Sequence, residues 1–232
     1  MVSTSDTDAP RARVSGARSG PLGRLGRLGR LARELVLLEL ALYRSLARWL
    51  ARRPDVPAGT TAIGYARQVT PLLWLWTFAA SIETVVIEVV LRTIDTGWSE
   101  AIRLPLLVLG VWGALWMLGM IAAHRVRPHL LAADRLRIRS GARTWVEVPL
   151  DRVATVRPAE HELPGLVTTL HVDGDLVLVG VSSRTNVEIG LDGPTTLRTS
   201  AGEVTASRVA LWVDEPRELV ARRLGDPGRT VG

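Results

Sequence analysis

Of the 232 residues in this sequence, none is cysteine or lysine, and only one is phenylalanine. Without cysteine, the chain forms no disulfide framework and offers no thiolate ligand to a metal. The four histidines show no metal-ligand spacing, so we expect neither a metal site nor a cofactor. No nucleophile elbow, glycine-rich phosphate loop or acid–base set is visible, and the sequence therefore predicts a protein that is not an enzyme.

Because lysine is absent, every cationic side chain is an arginine, and the net charge is +6. Residues 1–68 contain 12 arginines and five acidic residues, a net charge of +7, whereas residues 124–232 carry only +1. A nucleic-acid-binding protein more often concentrates positive charge in its folded domain, so nucleic acid is not an expected partner. The uneven distribution favours anionic lipid headgroups as partners of the N-terminal region.

Two apolar runs, residues 70–91 and 104–123, are the longest apolar features of the sequence. As helices, each run reaches about 30 Å, which is the thickness of a bilayer's hydrocarbon core. Residues 92–103 form a polar link, so residues 70–123 predict a two-helix transmembrane hairpin in a lipid bilayer. Small residues four apart on each run allow close contact between the helices: Ala80 and Thr84, and Gly110 and Ala114.

Arginines crowd both flanks of the hairpin, whereas the link contains only Arg92 and Arg103. The positive-inside rule then predicts a multi-pass protein of the cell membrane with both termini in the cytoplasm.

The N-terminal region is predicted in three parts. Residues 1–28 are rich in serine, glycine, proline and arginine, which is typical of a disordered basic tail. Residues 29–53 form an amphipathic helix with leucines on one face. This helix either lies in the inner membrane interface or packs on another helix or on the soluble domain. Residues 54–69 are a linker.

Two acidic residues interrupt the first apolar run. Glu88 is four residues before Arg92, so we expect an interfacial ion pair between them. Glu83 lies nearer the middle of the membrane, where an isolated carboxylate is costly. Depth matching places Glu83 near Trp112, whose indole N–H is expected to donate to it. A polar contact within the hairpin or in a homo-oligomer and a proton- or ion-coupling role both remain open.

Residues 124–225 have the pattern of a small β domain, followed by a tail at 226–232. Asp173-Gly174 between apolar runs is a strong hairpin signal. Asp214 is the expected N-cap of a final helix through about Leu224. The fold class is therefore α+β, a helical hairpin followed by a β-barrel or sandwich that a C-terminal helix closes. The expected strands are 129–132, 135–139, 144–148, 152–156, 166–172, 176–181, 186–191, 195–198 and 208–213.

Several turn and strand motifs support a resemblance: Arg127-Pro128-His129, Leu136 to Gly141, Val148 to Val153, Thr185 to Glu188 and Val213 to Pro216. With these motifs, the β domain resembles a bacterial pleckstrin-homology-like (PH-like) domain. Placed after two membrane helices, it is similar to a group of uncharacterised actinobacterial membrane proteins. The resemblance implies a bent barrel of seven strands capped by a helix, and it implies no catalytic residue.

Arginines alternate along one predicted strand at Arg135, Arg137 and Arg139, which places them on one face. Arg125 and Arg127 are close to them in sequence. Arginine suits bidentate contact with phosphate, so these five residues are candidates for binding lipid headgroups or a partner. The alternative is a solvated face paired with acids such as Glu147.

Together these observations predict a non-enzymatic membrane protein whose cytoplasmic domain binds an unknown protein partner or anionic lipid headgroups. The alternative function is a small transport or regulatory subunit that uses the intramembrane residue Glu83.

Overall fold

A computed structural model describes residues 21–94, 96–165, 168–222 and 224. The chain divides into two units, residues 1–37 and 38–232, and all contacts given below lie within the second. Within the described ranges the helices are α1 Pro21–Leu50, α2 Thr70–Thr93, α3 Gly97–Val126 and α4 Pro216–Ala221, with a 3-10 turn at Leu150–Arg152.

The N-terminal region is more ordered than predicted. α1 begins at Pro21, so residues 21–28 are helical rather than part of a disordered tail, and residues 1–20 lie outside the described residues. The predicted linker, residues 54–69, contains the strand β1 at Thr61–Ile63. This strand pairs with the strand that follows α3, a long-range contact that local sequence patterns do not reveal.

Residues 38–50 of α1 pack along the second half of α3. Leu42 is buried, and a Cβ added at Gly119 would lie 3.0 Å from the Leu42 Cβ. Glu39 accepts a hydrogen bond from the Trp112 indole. Over these residues α1 therefore packs on another helix, which is one of the two predicted arrangements.

α2 and α3 are both long and apolar enough to cross a membrane. Their large exposed apolar side chains extend from Leu72 to Val90 in α2 and from Trp98 to Leu115 in α3. At about 1.5 Å per residue, this apolar belt is about 27 Å tall, close to the thickness of a hydrocarbon core. Only 11% and 22% of the most apolar stretches are buried, unlike the core helices of a soluble domain.

The connection between the two helices is shorter than predicted. α2 ends at Thr93 and α3 begins at Gly97, so Glu100 and Arg103, which were expected in the link, belong to α3. α3 also continues through Pro105, the second residue of the predicted second run.

Small residues bring α2 and α3 together, as their spacing predicted. Gly110 faces Thr84 so closely that an added Cβ would lie 2.3 Å from the Thr84 Oγ1. The Thr84 hydroxyl donates to the Ala80 carbonyl, so it needs no partner across the interface. Glycine at position 110 therefore allows the two helix backbones to approach each other.

The strands after β1 are β2 His129–Leu131, β3 Arg135–Ser140, β4 Thr144–Pro149, β5 Val153–Glu162, β6 Leu170–Asp173, β7 Leu176–Val179, β8 Arg184–Thr199 and β9 Gly202–Leu211. Together with β1 they form one mixed sheet in the order β1-β2-β3-β4-β8-β9-β7-β6, with β5 pairing to β8. Among the described strands, β7 and β9 pair in parallel and the other pairs are antiparallel.

The predicted strands 186–191 and 195–198 form the single strand β8 in the structure, so the break expected between them is wrong. β8 pairs with β9 on both sides of a register irregularity between Gly190 and Thr195. Gly190 pairs with Arg208 and Thr195 with Ala206, so β8 has extra residues here while its pairing with β9 resumes beyond them. The hairpin at Asp173-Gly174 is confirmed by the antiparallel pair of β6 and β7.

One hydrophobic core lies against the sheet and includes Leu136, Ile189 and Leu211. Leu219 of α4 contributes to the same core. Asp214 is not the N-cap of α4, because Glu215 occupies that position. The Asp214 carboxylate instead accepts a hydrogen bond from the Arg67 backbone N–H at 3.0 Å.

The sheet is open along its main path. β1 and β6 are its two ends, and they do not pair with each other within the described residues. The α+β class is therefore shown, whereas the predicted closed barrel is not.

Candidate functional site

The predicted arginine face on β3 is already paired with acidic residues. Arg135 contacts Asp134 at 2.7 Å, and Arg137 contacts Glu147 at 3.6 Å. Arg137 also lies over the Trp145 ring, 4.6 Å from its centroid. For Arg135 and Arg137 the structure thus matches the predicted alternative of a paired, solvated strand face.

Arg139 differs from the other two arginines because it is only 5% exposed. The expectation that it lies on an accessible face is therefore wrong. Its Nη1 donates to the Asp55 carbonyl at 3.0 Å and lies 3.3 Å from the Asp55 carboxylate. Asp55 follows α1, so a contact spanning 84 residues holds Arg139 in place.

Asp55 is the centre of a group that we call the Asp55 junction: Asp55, Arg48, Arg127 and Arg139. The Arg48 guanidinium donates to the Asp55 carboxylate, and the Arg127 Nε lies 3.8 Å from it. The Asp55 N–H donates to the Val126 carbonyl at 2.7 Å. The junction therefore connects the end of α1, the end of α3 and the strand β3.

Burial by itself would raise the pKa of Asp55, but the Arg48 hydrogen bond and the charges of Arg139, Arg48 and Arg127 hold it below its ordinary value. Asp55 is consequently a carboxylate at neutral pH. Burial lowers the pKa values of Arg127 and Arg139, and the Asp55 charge opposes this effect.

A buried tyrosine–histidine stack supports the same region. The Tyr65 ring stacks on His129 with centroids 4.6 Å apart, and its hydroxyl accepts a hydrogen bond from the Gly141 N–H. The His129 Nδ1 accepts from the Arg139 N–H at 2.9 Å, so its Nε2–H donates to the Trp212 carbonyl. Burial lowers the pKa of His129 to about 4, and the ring is neutral and structural.

A cavity of about 530 Å³ opens beside the junction, where α1 and α3 end. We call it the arginine cavity, and its lining residues are Trp49, Leu50, Arg52, Arg53, Pro54, Arg125 and Val126. All three arginines are exposed. Within the part of the chain that the structure describes, none of their side chains makes an ion pair or a hydrogen bond.

The end of α1 places two of these arginines. The Arg53 N–H donates to the Arg48 carbonyl at 2.9 Å, and the Arg52 N–H donates to the Trp49 carbonyl at 3.0 Å. This pair of bonds is a Schellman motif, whose left-handed position is usually glycine. Arg52 occupies that position with φ +52°. The motif turns the chain so that Arg52 and Arg53 both line the cavity.

Of the candidates predicted from sequence, only Arg125 lines the arginine cavity. Arg127 is drawn into the Asp55 junction. Sequence reasoning missed Arg52 and Arg53 because both were treated as the end of a helix and not as a site. The signal that could have found them is the Trp-Leu-Ala-Arg-Arg-Pro run at residues 49–54, which combines a tryptophan with two adjacent arginines, as is typical of membrane-interface segments.

The polar residues of the predicted hairpin are arranged partly as predicted. The ion pair of Glu88 with Arg92 is confirmed at 2.7 Å, and Arg103 of α3 adds a second contact at 3.6 Å. The predicted contact of Trp112 with Glu83 is wrong, because the indole N–H donates to Glu39 at 2.6 Å. Trp112 faces α1, whereas its predicted partner followed only from the matching depths of residues in α2 and α3.

Glu83 is exposed and lines a cavity of about 220 Å³ between α2 and α3. Glu88, Arg103 and Thr84 line the same cavity. Trp112 is not among the lining residues.

A buried carboxylate, which the sequence did not reveal, lies in the sheet. Glu188 is only 2% exposed and contacts Arg157 at 2.6 Å and His161 at 2.8 Å. Burial would raise the pKa of Glu188, but these two partners hold it below its ordinary value. The partners come from a different strand, so only the folded sheet brings them together.

Within the described residues, no group of three histidine or acidic side chains is placed to hold a metal ion. Comparisons with protein-family models, curated proteins and solved structures find no match to this chain.

Proposed function

We propose that this chain is an integral membrane protein whose β domain is a non-catalytic binding module held at the inner membrane surface. In this proposal α2 and α3 cross the bilayer, and the β domain has a PH-like architecture. It binds a protein partner or anionic lipid headgroups. The resemblance to actinobacterial two-helix membrane proteins belongs to the same proposal.

One observation carries the proposal: the β domain follows the apolar belt without a flexible linker. α3 ends at Val126 and β2 begins at His129, and the Asp55 junction ties both to α1. The belt ends near Leu115 and α3 ends at Val126, so the β domain is attached about three turns beyond the belt and lies next to the headgroup region. A binding surface that is held at this distance is already close to ligands at the membrane surface.

The orientation follows from the arginine distribution, which favours a cytoplasmic β domain. Because the chain has no cysteine, single-cysteine variants can test this directly. We expect a membrane-impermeant maleimide to label Thr96→Cys, between α2 and α3, on intact cells. Ser200→Cys, in the turn between β8 and β9, should react only after lysis.

The unsubstituted chain is the control, since it has no thiol to label. Labelling of Ser200→Cys but not of Thr96→Cys on intact cells would reverse the orientation. Recovery of the protein in the soluble fraction would contradict the membrane assignment altogether.

The cavity between α2 and α3 supports the second candidate, a small transport or regulatory subunit that uses Glu83. In this alternative Glu83 exchanges a proton or a cation within the membrane. Glu83→Gln keeps the size of the side chain and removes its charge, so it should abolish proton-linked flux in proteoliposomes. Equal flux in both proteins, or no flux in either, would contradict this candidate.

A further inference from the structure

We infer that the arginine cavity is a binding site for the phosphate-bearing headgroup of an anionic phospholipid, through Arg52, Arg53 and Arg125. This assignment rests on the proposed function, since it requires α2 and α3 to be in a bilayer. It places headgroup binding at the arginine cavity and not on the strand face that carries Arg135, Arg137 and Arg139.

The other arginines near the cavity are paired with acidic residues. Arg48, Arg127 and Arg139 share Asp55, while Arg135 and Arg137 share Glu147. Among the residues that the structure describes, the three arginines of the cavity have no such partner, and they lie around a single opening. Three uncompensated positive charges at one opening favour an anion, and guanidinium groups match phosphate oxygens in geometry.

The backbone of Arg52 has a conformation that usually requires glycine. A residue other than glycine at φ +52° has an unfavourable conformation, and glycine would end the helix there at lower cost. Strained residues persist mainly where their side chains are needed. Within the described residues the Arg52 side chain makes no hydrogen bond or ion pair, so its role is expected to lie in binding a ligand.

Apolar side chains beside the arginines favour a lipid over an acidic peptide. Leu50 is 73% exposed, and Trp49 lies beside it on the cavity wall. An exposed leucine, a tryptophan and several arginines together are typical of a segment that enters the membrane interface. In the inner leaflet, acyl chains would cover the two apolar side chains while the phosphate meets the arginines.

The test uses the full-length protein in phosphatidylcholine vesicles that contain a minor fraction of phosphatidylglycerol. Bromine on the acyl chains of one lipid at a time quenches nearby tryptophans, and the difference between wild type and Trp49→Phe isolates Trp49. We expect brominated phosphatidylglycerol to quench Trp49 more than its mole fraction predicts. High salt should weaken this enrichment, and inorganic phosphate should not displace the lipid.

Changing all three cavity arginines to glutamine should abolish the enrichment, and each single change should lower it about fivefold. The matched control changes Arg135, Arg137 and Arg152, which carry the same total charge and do not line the cavity. This control should keep the enrichment. Equal enrichment in the cavity variant and in wild type would overturn the site.

Arg52→Gly separates binding from folding. We expect it to preserve or raise the midpoint of thermal unfolding, because glycine suits the left-handed position. It should nevertheless lower the enrichment of phosphatidylglycerol, and unchanged enrichment would contradict a role for Arg52. Quenching of Trp49 in wild type by each brominated lipid in proportion to its mole fraction would overturn the headgroup assignment alone. The absence of quenching of any tryptophan would instead contradict the proposed membrane location.

Discussion

Asparagine in place of Asp55 is expected to lower the free energy of unfolding by about 2–3 kcal/mol. The change leaves Arg139, which is 5% exposed, without a carboxylate partner. Removing one partner of a fully buried ion pair costs about 3–5 kcal/mol, and the 34% exposure of the Asp55 side chain reduces that figure. Thermal or denaturant unfolding of the detergent-solubilised protein measures the loss.

Asp192→Asn is the matched control. Asp192 pairs with Arg152 at 3.0 Å, and both side chains are more than 40% exposed. Such surface pairs contribute about 0–1 kcal/mol, so this variant should unfold almost like wild type. Adding Arg139→Met to Asp55→Asn should recover part of the loss, because it removes the unpaired buried charge. Equal stability of Asp55→Asn and Asp192→Asn would contradict a structural role for the junction.

The same carboxylate predicts a pH dependence. The folded-state pKa of Asp55 is below its ordinary value of 3.8, so its contribution to stability is fully present above that value. The contribution is lost as the pH falls below about 4 and through the folded-state pKa. Wild type should therefore lose stability more steeply than Asp55→Asn in this acid range, and parallel curves would exclude Asp55 as the cause.

A methyl group at position 110 is expected to be the most damaging small change in the hairpin. In Gly110→Ala, the new Cβ would lie 2.3 Å from the Thr84 Oγ1 and 2.9 Å from the Thr84 Cβ. The second atom is attached directly to the backbone, so rotation of the side chain cannot relieve the overlap. α2 and α3 must then move apart, which costs about 2–3 kcal/mol as overpacking.

Gly113→Ala is the control within the same helix, because an added Cβ there has no atom within 4 Å. Alanine favours a helix over glycine by about 1 kcal/mol, so the two variants should shift the unfolding midpoint in opposite directions. In the double variant Gly110→Ala with Thr84→Gly, the loss of the Thr84 side chain leaves room for the new methyl group. This variant should therefore recover part of the stability. A stabilising Gly110→Ala would show that the helices are less closely packed.

Asp55→Asn and Gly110→Ala change contacts that hold α1, α2, α3 and the β domain together. Loosening the hairpin or the Asp55 junction should also disturb the arginine cavity, because Arg125 and Val126 lie at the end of α3. The cavity variants, in contrast, change side chains without ion-pair partners and should leave the fold intact.

The sequence alone determined the parts of this protein that depend on local patterns. Apolar runs of sufficient length specify α2 and α3, and residues three or four apart on a helix specify the contact of Glu88 with Arg92. The Asp173-Gly174 pair specifies its hairpin because a tight turn needs a residue at positive φ. Each of these features depends on residues that are close together in the chain.

Only the tertiary structure decided which charged side chains form ion pairs among the described residues and which do not. Arg135 and Arg139 lie on the same predicted face of β3. Arg139 is nevertheless buried against Asp55, whereas Arg135 stays on the surface and contacts Asp134. Trp112 donates to Glu39 because α1 packs on its side of α3. The physical reason is that a strand or helix pattern fixes the direction of a side chain, whereas its partner comes from a distant segment that folding brings to it.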